Sequence, residues 1–217
     1  MTTFPGSPRL IKGGLVLIDP ETAVVQRIIT LQYNPDTLSR TLQVQSAGME
    51  SGDRSEALRL KGPPVETIKL EAEIDATDQL ELAEPTATQL GIHPQLAVLE
   101  MLVYPASRQL QDNDRLAQAG TLEIVPMETP LTLFIWSKQR ILPMRLTEFS
   151  ITEEAFDPAL NPIRARVSLG MRVLSVDDLG FTHKGGSLFM SYLQTKEQLA
   201  ARSQGGALSM LGIGSIP

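Results

Sequence analysis

The run Ile163-Arg-Ala-Arg-Val-Ser-Leu-Gly-Met-Arg-Val173 constrains the fold more tightly than any other part of the chain. Side chains of an extended strand alternate between faces, so Ile163, Ala165, Val167, Leu169, Met171 and Val173 share one side. Arg164, Arg166, Ser168, Gly170 and Arg172 share the other. One face is core and the opposite face is a row of cations. Upstream, Leu131–Trp136 and Arg140–Thr152 also read as strands. The turn Phe156-Asp-Pro-Ala-Leu-Asn-Pro162 returns the chain for an antiparallel pairing.

The same period recurs earlier. Leu10–Ile18 and Val24–Tyr33 read as a hairpin about Asp19-Pro20-Glu21, closed by Asn34-Pro35, and Leu38–Val44 alternates polar and apolar residues. In Glu66–Asp75, Ile68, Leu70, Ala72 and Ile74 oppose Thr67, Lys69, Glu71, Glu73 and Asp75, a half-buried strand with an acidic outer side. Ser46–Ser55 is rich in Gly, Ser and charge and reads as a long loop, of the kind often ordered by a partner. Leu122–Val125 is a short apolar run. Thr77–Leu90 reads as an irregular helix broken at Pro85, followed by a buried helix from His93-Pro94 through Leu96–Val103. Asp112–Ala119 reads as a loop or a short helical turn. Ser187–Arg202 has helical spacing with Ser187 as its N-cap, and Gly205-Gly206 stops it before the apolar tail Ala207–Pro217. The prediction is a mainly β, α+β fold: an antiparallel β-sandwich or barrel with a packed helix.

A chain of 217 residues, 42% hydrophobic, can bury roughly 70% of its unfolded surface without staples. It has no cysteine, which excludes disulfides and thiolate metal sites and permits cytoplasmic folding. Met1–Pro8 lacks the basic and apolar regions of a signal peptide and reads as a loose tail. No run reaches the ~18 consecutive apolar residues of a membrane span. A formal net charge of −6 argues against nucleic acid as the main ligand.

Nothing in the sequence makes a case for catalysis, a metal or a cofactor. His93 and His183 are the only histidines and neither has a close His or Cys neighbour. His93 reads as a helix-start residue. Glu153-Glu154 and Asp177-Asp178 read as surface carboxylates rather than acid/base pairs, since adjacent strand residues face opposite ways. Lys184-Gly-Gly-Ser187 lacks the order of a phosphate loop and reads as a hinge. Trp136 is a candidate for stacking a sugar or a base, or for packing in the core or between subunits. Arg164, Arg166 and Arg172 suit either an anion or a cross-strand ladder with the acids of the Glu66 strand.

An apolar strand ending in Trp136, a strand leading to Glu148-Phe-Ser-Ile-Thr152, the Phe156-Asp-Pro turn and Arg164-Ala-Arg-Val167 together resemble the tube-protein domain of contractile injection systems, the phage-tail-like machines. Leu31-Gln-Tyr-Asn-Pro-Asp-Thr-Leu-Ser-Arg40 resembles that family's Phe-Asn-Pro segment, with Tyr33 in place of Phe, and Glu66–Asp75 resembles its alternating strand. The resemblance runs from about Lys12 to about Ser175. It implies a tube-type β domain over 12–178, after an N-terminal tail of 1–11, that assembles into a sixfold ring. Arg164, Arg166, Arg172, Glu71 and Glu73 are then candidates for a lumen or inter-subunit face.

Within the family the chain looks closest to the ring that joins the inner tube to the spike at the baseplate, although no LysM-like stretch follows Ser175. The expected partners are copies of itself, the inner-tube protein, the spike or hub protein and baseplate components, with no nucleic acid and no membrane insertion of its own. Residues 179–217 form an extension whose Leu188, Tyr192, Leu193, Leu211 and Ile213 are candidates for docking on a neighbour, the alternative being that it packs on its own domain. Two other readings stay open: the repeating inner-tube subunit, and a stand-alone β-sandwich binding module. The resemblance also implies cytoplasmic synthesis followed by assembly into a phage-tail-like particle.

Overall fold

The computed structural model describes residues 10–46, 59–120 and 129–216. The expected tail Met1–Pro8, nearly all of the Ser46–Ser55 loop, the run Leu122–Val125 and Pro217 lie outside the described residues. Among the described residues seven strands form one antiparallel sheet: β1 (Gly14–Ile18), β2 (Val25–Thr30), β3 (Leu38–Gln43), β4 (Val65–Asp75), β5 (Leu131–Ser137), β6 (Arg140–Phe156) and β7 (Pro162–Val173). Their spatial order is β2-β1-β5-β6-β7-β4-β3. The predicted mainly β, α+β architecture is what the chain adopts.

Two turns show how local chemistry sets this order. At the β1–β2 turn the Asp19 carboxylate accepts hydrogen bonds from the amides of Glu21 and Thr22 and from the Thr22 hydroxyl. The Thr22 donors are the main reason its pKa lies below the ordinary value. At the β6–β7 turn, Asp157 accepts from the amides of Ala159 and Asn161 and from the Asn161 side chain, with Leu160 at φ 67°. Each Asp substitutes its carboxylate for the backbone acceptor that a tighter turn would use.

β6 serves two pairings in succession. Its first residues, Arg140–Met144, pair with β5, and Met144–Phe156 pair with β7, with a register shift between Leu146 and Glu148. A bulge bends the strand that carries it. The sheet therefore works as two layers, β2-β1-β5 with the start of β6 and the rest of β6 with β7-β4-β3, that enclose one core. Leu15, Ile29, Phe134 and Leu142 of the first layer and Ile68, Leu70, Val167, Leu169 and Met171 of the second belong to that core. The far ends of the layers meet where the Gln32 side-chain amide both donates to the Asp75 carbonyl and accepts from the Asp75 amide, at 2.7 and 3.0 Å. One side chain there imitates a strand pair.

The helices are α1 (Thr77–Glu81), α2 (Pro85–Leu90), α3 (His93–Glu100), α4 (Ser107–Gln118), α5 (Val176–Leu179) and α6 (Lys184–Ala201), followed by a 3-10 turn at Leu208–Leu211. α1 and α2 separate at Pro85 as the sequence predicts, and Pro94 sits in the first turn of α3, which buries Leu96 and Leu99 against the sheet. Burying each such side chain stabilises the fold by about 1.5–3 kcal/mol.

Three local expectations are corrected. Asp112–Ala119 is not a loop: it belongs to the twelve-residue α4, which buries no side chain and is held by surface pairs such as Arg115–Asp112 at 2.6 Å. Without an apolar stripe there is no core signal to read. The cap of α6 is His183, whose Nδ1 accepts from the Gly185 amide, and not Ser187. Lys184-Gly-Gly-Ser187 is accordingly the first turn of α6 and not a hinge. Gly185 and Gly186 are buried there because a Cβ at either would run into Leu179 or the Gly180 carbonyl. Only glycine lets α6 start this close to α5.

Candidate functional site: a charged sheet face with open edges

The outer face of β4, β7 and β6 is an organised polar surface of the second layer. Register fixes it: Glu73 stands opposite Arg166 and Asp75 opposite Arg164 across β4–β7, while Thr152 and Glu154 flank the same arginines across β7–β6. Arg164 reaches Asp75 at 2.7 Å and Glu73 at 3.7 Å, Arg166 reaches Glu154 at 3.4 Å and Glu71 at 3.9 Å, and Lys69 reaches Glu148 at 2.6 Å. The arginine row is therefore a cross-strand ladder in which cations and acids alternate. Of the sequence-predicted face residues, Arg164, Arg166, Glu71 and Glu73 come together in it. Arg172 is turned toward Asp178 of α5 at 2.7 Å and joins the α5 capping box instead.

Asp75 is the best-shielded acid of this ladder, its side chain 13% exposed. Burial pushes its pKa up, but the Thr77 hydroxyl and amide and the Arg164 guanidinium together outweigh that and hold it below the ordinary value. Asp75 in turn raises the pKa of Arg164. Gly170 leaves room for the Glu148 side chain to lie across β7, since a Cβ there would sit 2.7 Å from that of Glu148. The ladder is thus laid flat on the sheet.

The edges of this layer are open. β6 from Arg145 to Phe156 pairs with β7 on one side and with no strand on the other among the described residues. Among the described residues β3 pairs only with β4. Large apolar side chains on the outermost strands remain exposed, Leu42 and nearby Val44 at β3 and Val25 and Ile28 on β2. Unpaired N–H and C=O groups beside exposed apolar residues favour pairing with another chain.

A second charge cluster escaped sequence reasoning. Glu66, on the core face of β4, is 3% exposed. It binds Arg40 of β3 at 2.6 Å and Lys196 of α6 at 3.1 Å, and lies 3.3 Å from the Tyr192 hydroxyl. Arg40 also donates to the Tyr192 hydroxyl at 3.0 Å, and the Lys196 ammonium lies 4.1 Å from the centre of the Tyr192 ring. The signal was present: Glu66 has the same strand parity as Ile68 and Leu70, so an acid was bound for the core.

Of the candidate docking residues, Tyr192 is buried in this cluster, Leu188 packs on the small cluster of Ile18, Leu131 and Leu133, and Leu193 is half-buried. α6 also lends Phe189 to the main core, so the compact unit extends into α6. Leu211 and Ile213 remain exposed at 74% and 43%. Trp136 stacks on Phe134 with ring centres 5.9 Å apart, with Gly13 beneath it. Glu153 and Glu154 lie on β6, Asp177 and Asp178 in the first turn of α5, and His93 starts α3.

Among the described residues no three His, Asp or Glu side chains gather as a metal site, and no helix is long and apolar enough to cross a membrane. No protein-family model matches the chain, and no curated protein matches it.

Proposed function

We propose that the chain is a structural ring component of a contractile injection system, placed where the inner tube joins the spike at the baseplate, and that it acts without catalysis. The observation that carries this reading is the second layer: a four-stranded sheet with a laddered charged face and, among the described residues, both long edges unpaired. Copies arranged in a closed ring would continue one another's sheets and remove those edges. The charged face would then meet water in the channel, where a ladder whose cations are all paired with acids needs no anionic ligand.

The junction assignment is supported by the exposed apolar segment beyond α6, which a subunit meeting several unlike partners has reason to carry. The repeating inner-tube subunit is the second reading. It is favoured by α6 packing Phe189 and Tyr192 into the chain's own core rather than on a neighbour. Electron microscopy of the parent particle with the chain labelled separates the two: one labelled ring at the tube end supports the junction, and label along the whole tube supports the repeating subunit. No label on the particle, with a purified chain that stays monomeric at high concentration, overturns both.

A further inference from the structure

We propose that the C-terminal segment of one copy docks in trans, as an added strand, on the free stretch of β4 in a second copy, with Leu211 and Ile213 filling the apolar slot beside it. The slot has a volume of about 380 Å³ and lies between the end of β2, the inner side of β4 and α3; Leu31, Ala72, Ile74, Pro94 and Val98 are among its walls. Its rim is strand edge. Among the described residues β3 covers β4 only as far as Leu70 and nothing else pairs with it beyond that point on this edge except the Gln32 amide, which takes both backbone groups of Asp75. Orientation along a strand repeats every second residue, so the N–H and C=O of Glu73 point the same way as those of Asp75, into the gap between the two covers. The occupant is therefore extended backbone offering one donor and one acceptor.

Register then specifies its side chains. The residue facing Glu73 lies on the outer, charged face of β4, and its two neighbours lie on the inner face with Ala72 and Ile74. The sequence Leu211-Gly-Ile213 meets that demand, with glycine outward beside Glu71 and Glu73 and two large apolar side chains inward. Residues 203–217 carry no charged side chain, so none of their side chains is repelled by the acidic rim. In the chain as it stands Leu208, Met210, Leu211, Ile213 and Ile216 are all exposed, and none of them lines the slot. Gly212 now has φ 73° at the end of the 3-10 turn, and a glycine can leave that conformation for an extended one without steric penalty.

The test uses the full chain, whose lack of cysteine makes engineered thiols unambiguous. Facing residues of a hydrogen-bonded antiparallel pair have Cα atoms ~5.5 Å apart, within disulfide reach. Chains carrying Glu73→Cys are mixed with chains carrying Gly212→Cys and oxidised. The expected result is a disulfide-linked dimer, lost when Leu211→Asp and Ile213→Asp are added to the Gly212→Cys chain, and lost when the first thiol is moved to Glu197→Cys on exposed α6. Absence of the dimer overturns the proposal, as does an intramolecular bond in the doubly substituted chain with no dimer in the mixture. Circular dichroism of each variant verifies that it is folded. Rings seen by microscopy without the crosslink sink this inference and leave the ring reading standing; crosslinked dimers without rings do the reverse.

Discussion

β4 carries charge on both of its faces, and the two faces show how differently the same ion pairs behave. Outward, Lys69, Glu71, Glu73 and Asp75 join a ladder whose members are mostly half or more exposed, such as Lys69 at 62% and Arg166 at 57%. Inward, Glu66 is closed off from water and surrounded by Arg40, Lys196 and Tyr192. In the ladder most charges keep their hydration whether or not a partner is present, the shielded Asp75 being the exception. At Glu66 the partners replace the water, so removal of one leaves others buried and unmet.

The largest effect is expected at Glu66. Glu66→Ala strands the Arg40 and Lys196 charges against the core and should destabilise the fold by about 3 kcal/mol, the low end for a broken buried pair because both cations still reach solvent. Urea unfolding would measure it, and a change comparable to that of a ladder variant would erase the contrast. Next comes Tyr192→Phe, which keeps the ring beneath Lys196 but removes the hydroxyl that bridges Arg40 and Glu66. A loss of about 1 kcal/mol is expected.

Arg166→Gln on the ladder should cost only about 0.2–1 kcal/mol, and that difference should shrink in 1 M salt, where the screening length falls to about 3 Å. The Glu66 effect should persist in the same salt. A ladder effect that resists salt would mean that the outer face is covered by another chain under the conditions used.

The mildest dependence is on acidity. Asp19, Asp75 and Asp157 have folded-state pKa values below the ordinary 3.8, so the stability they contribute is complete above that value and is lost as pH falls through their lowered ones. Arg164 is shifted upward and stays charged throughout the accessible range. Thermal melts should therefore be flat for these groups from neutral pH down to about 4 and fall below it. Removing the partner in Thr77→Val should make the acid fall shallower, because Asp75 loses the hydroxyl that lowers its pKa most.

What the sequence revealed follows the same division between solvent and core. β7 and the Thr67–Asp75 part of β4 were legible residue by residue, since each has one wet and one dry face and period two records the difference. The ladder was legible as one of two readings of the arginines, and register decides for it. α4 was not legible because nothing in it is buried, and local i,i+3 pairs leave a weaker trace than an apolar stripe. The His183 cap was hidden by Gly185-Gly186, which suggest a hinge until Gly180 is seen lying against them. Glu66 was hidden for the opposite reason: its charge suggests surface, and only its parity places it inside. The handover of β6 from β5 to β7 depends on contacts distant in sequence, which no local pattern encodes.

That handover has a mechanical consequence. β6 is one unbroken backbone running through both layers, so a force that drags one layer past the other is met by covalent chain as well as by side-chain packing. Tension along β6 loads its hydrogen bonds to β7 in shear, from Met144 to Phe156, and bonds loaded in shear give way together. Tension that peels β2 from β1 meets only a short ladder, one bond at a time. A pulling experiment with handles at the two ends of β6 should accordingly require far more force than one that peels β2 away, and a part exposed to a sudden stroke is better anchored through the first than through the second.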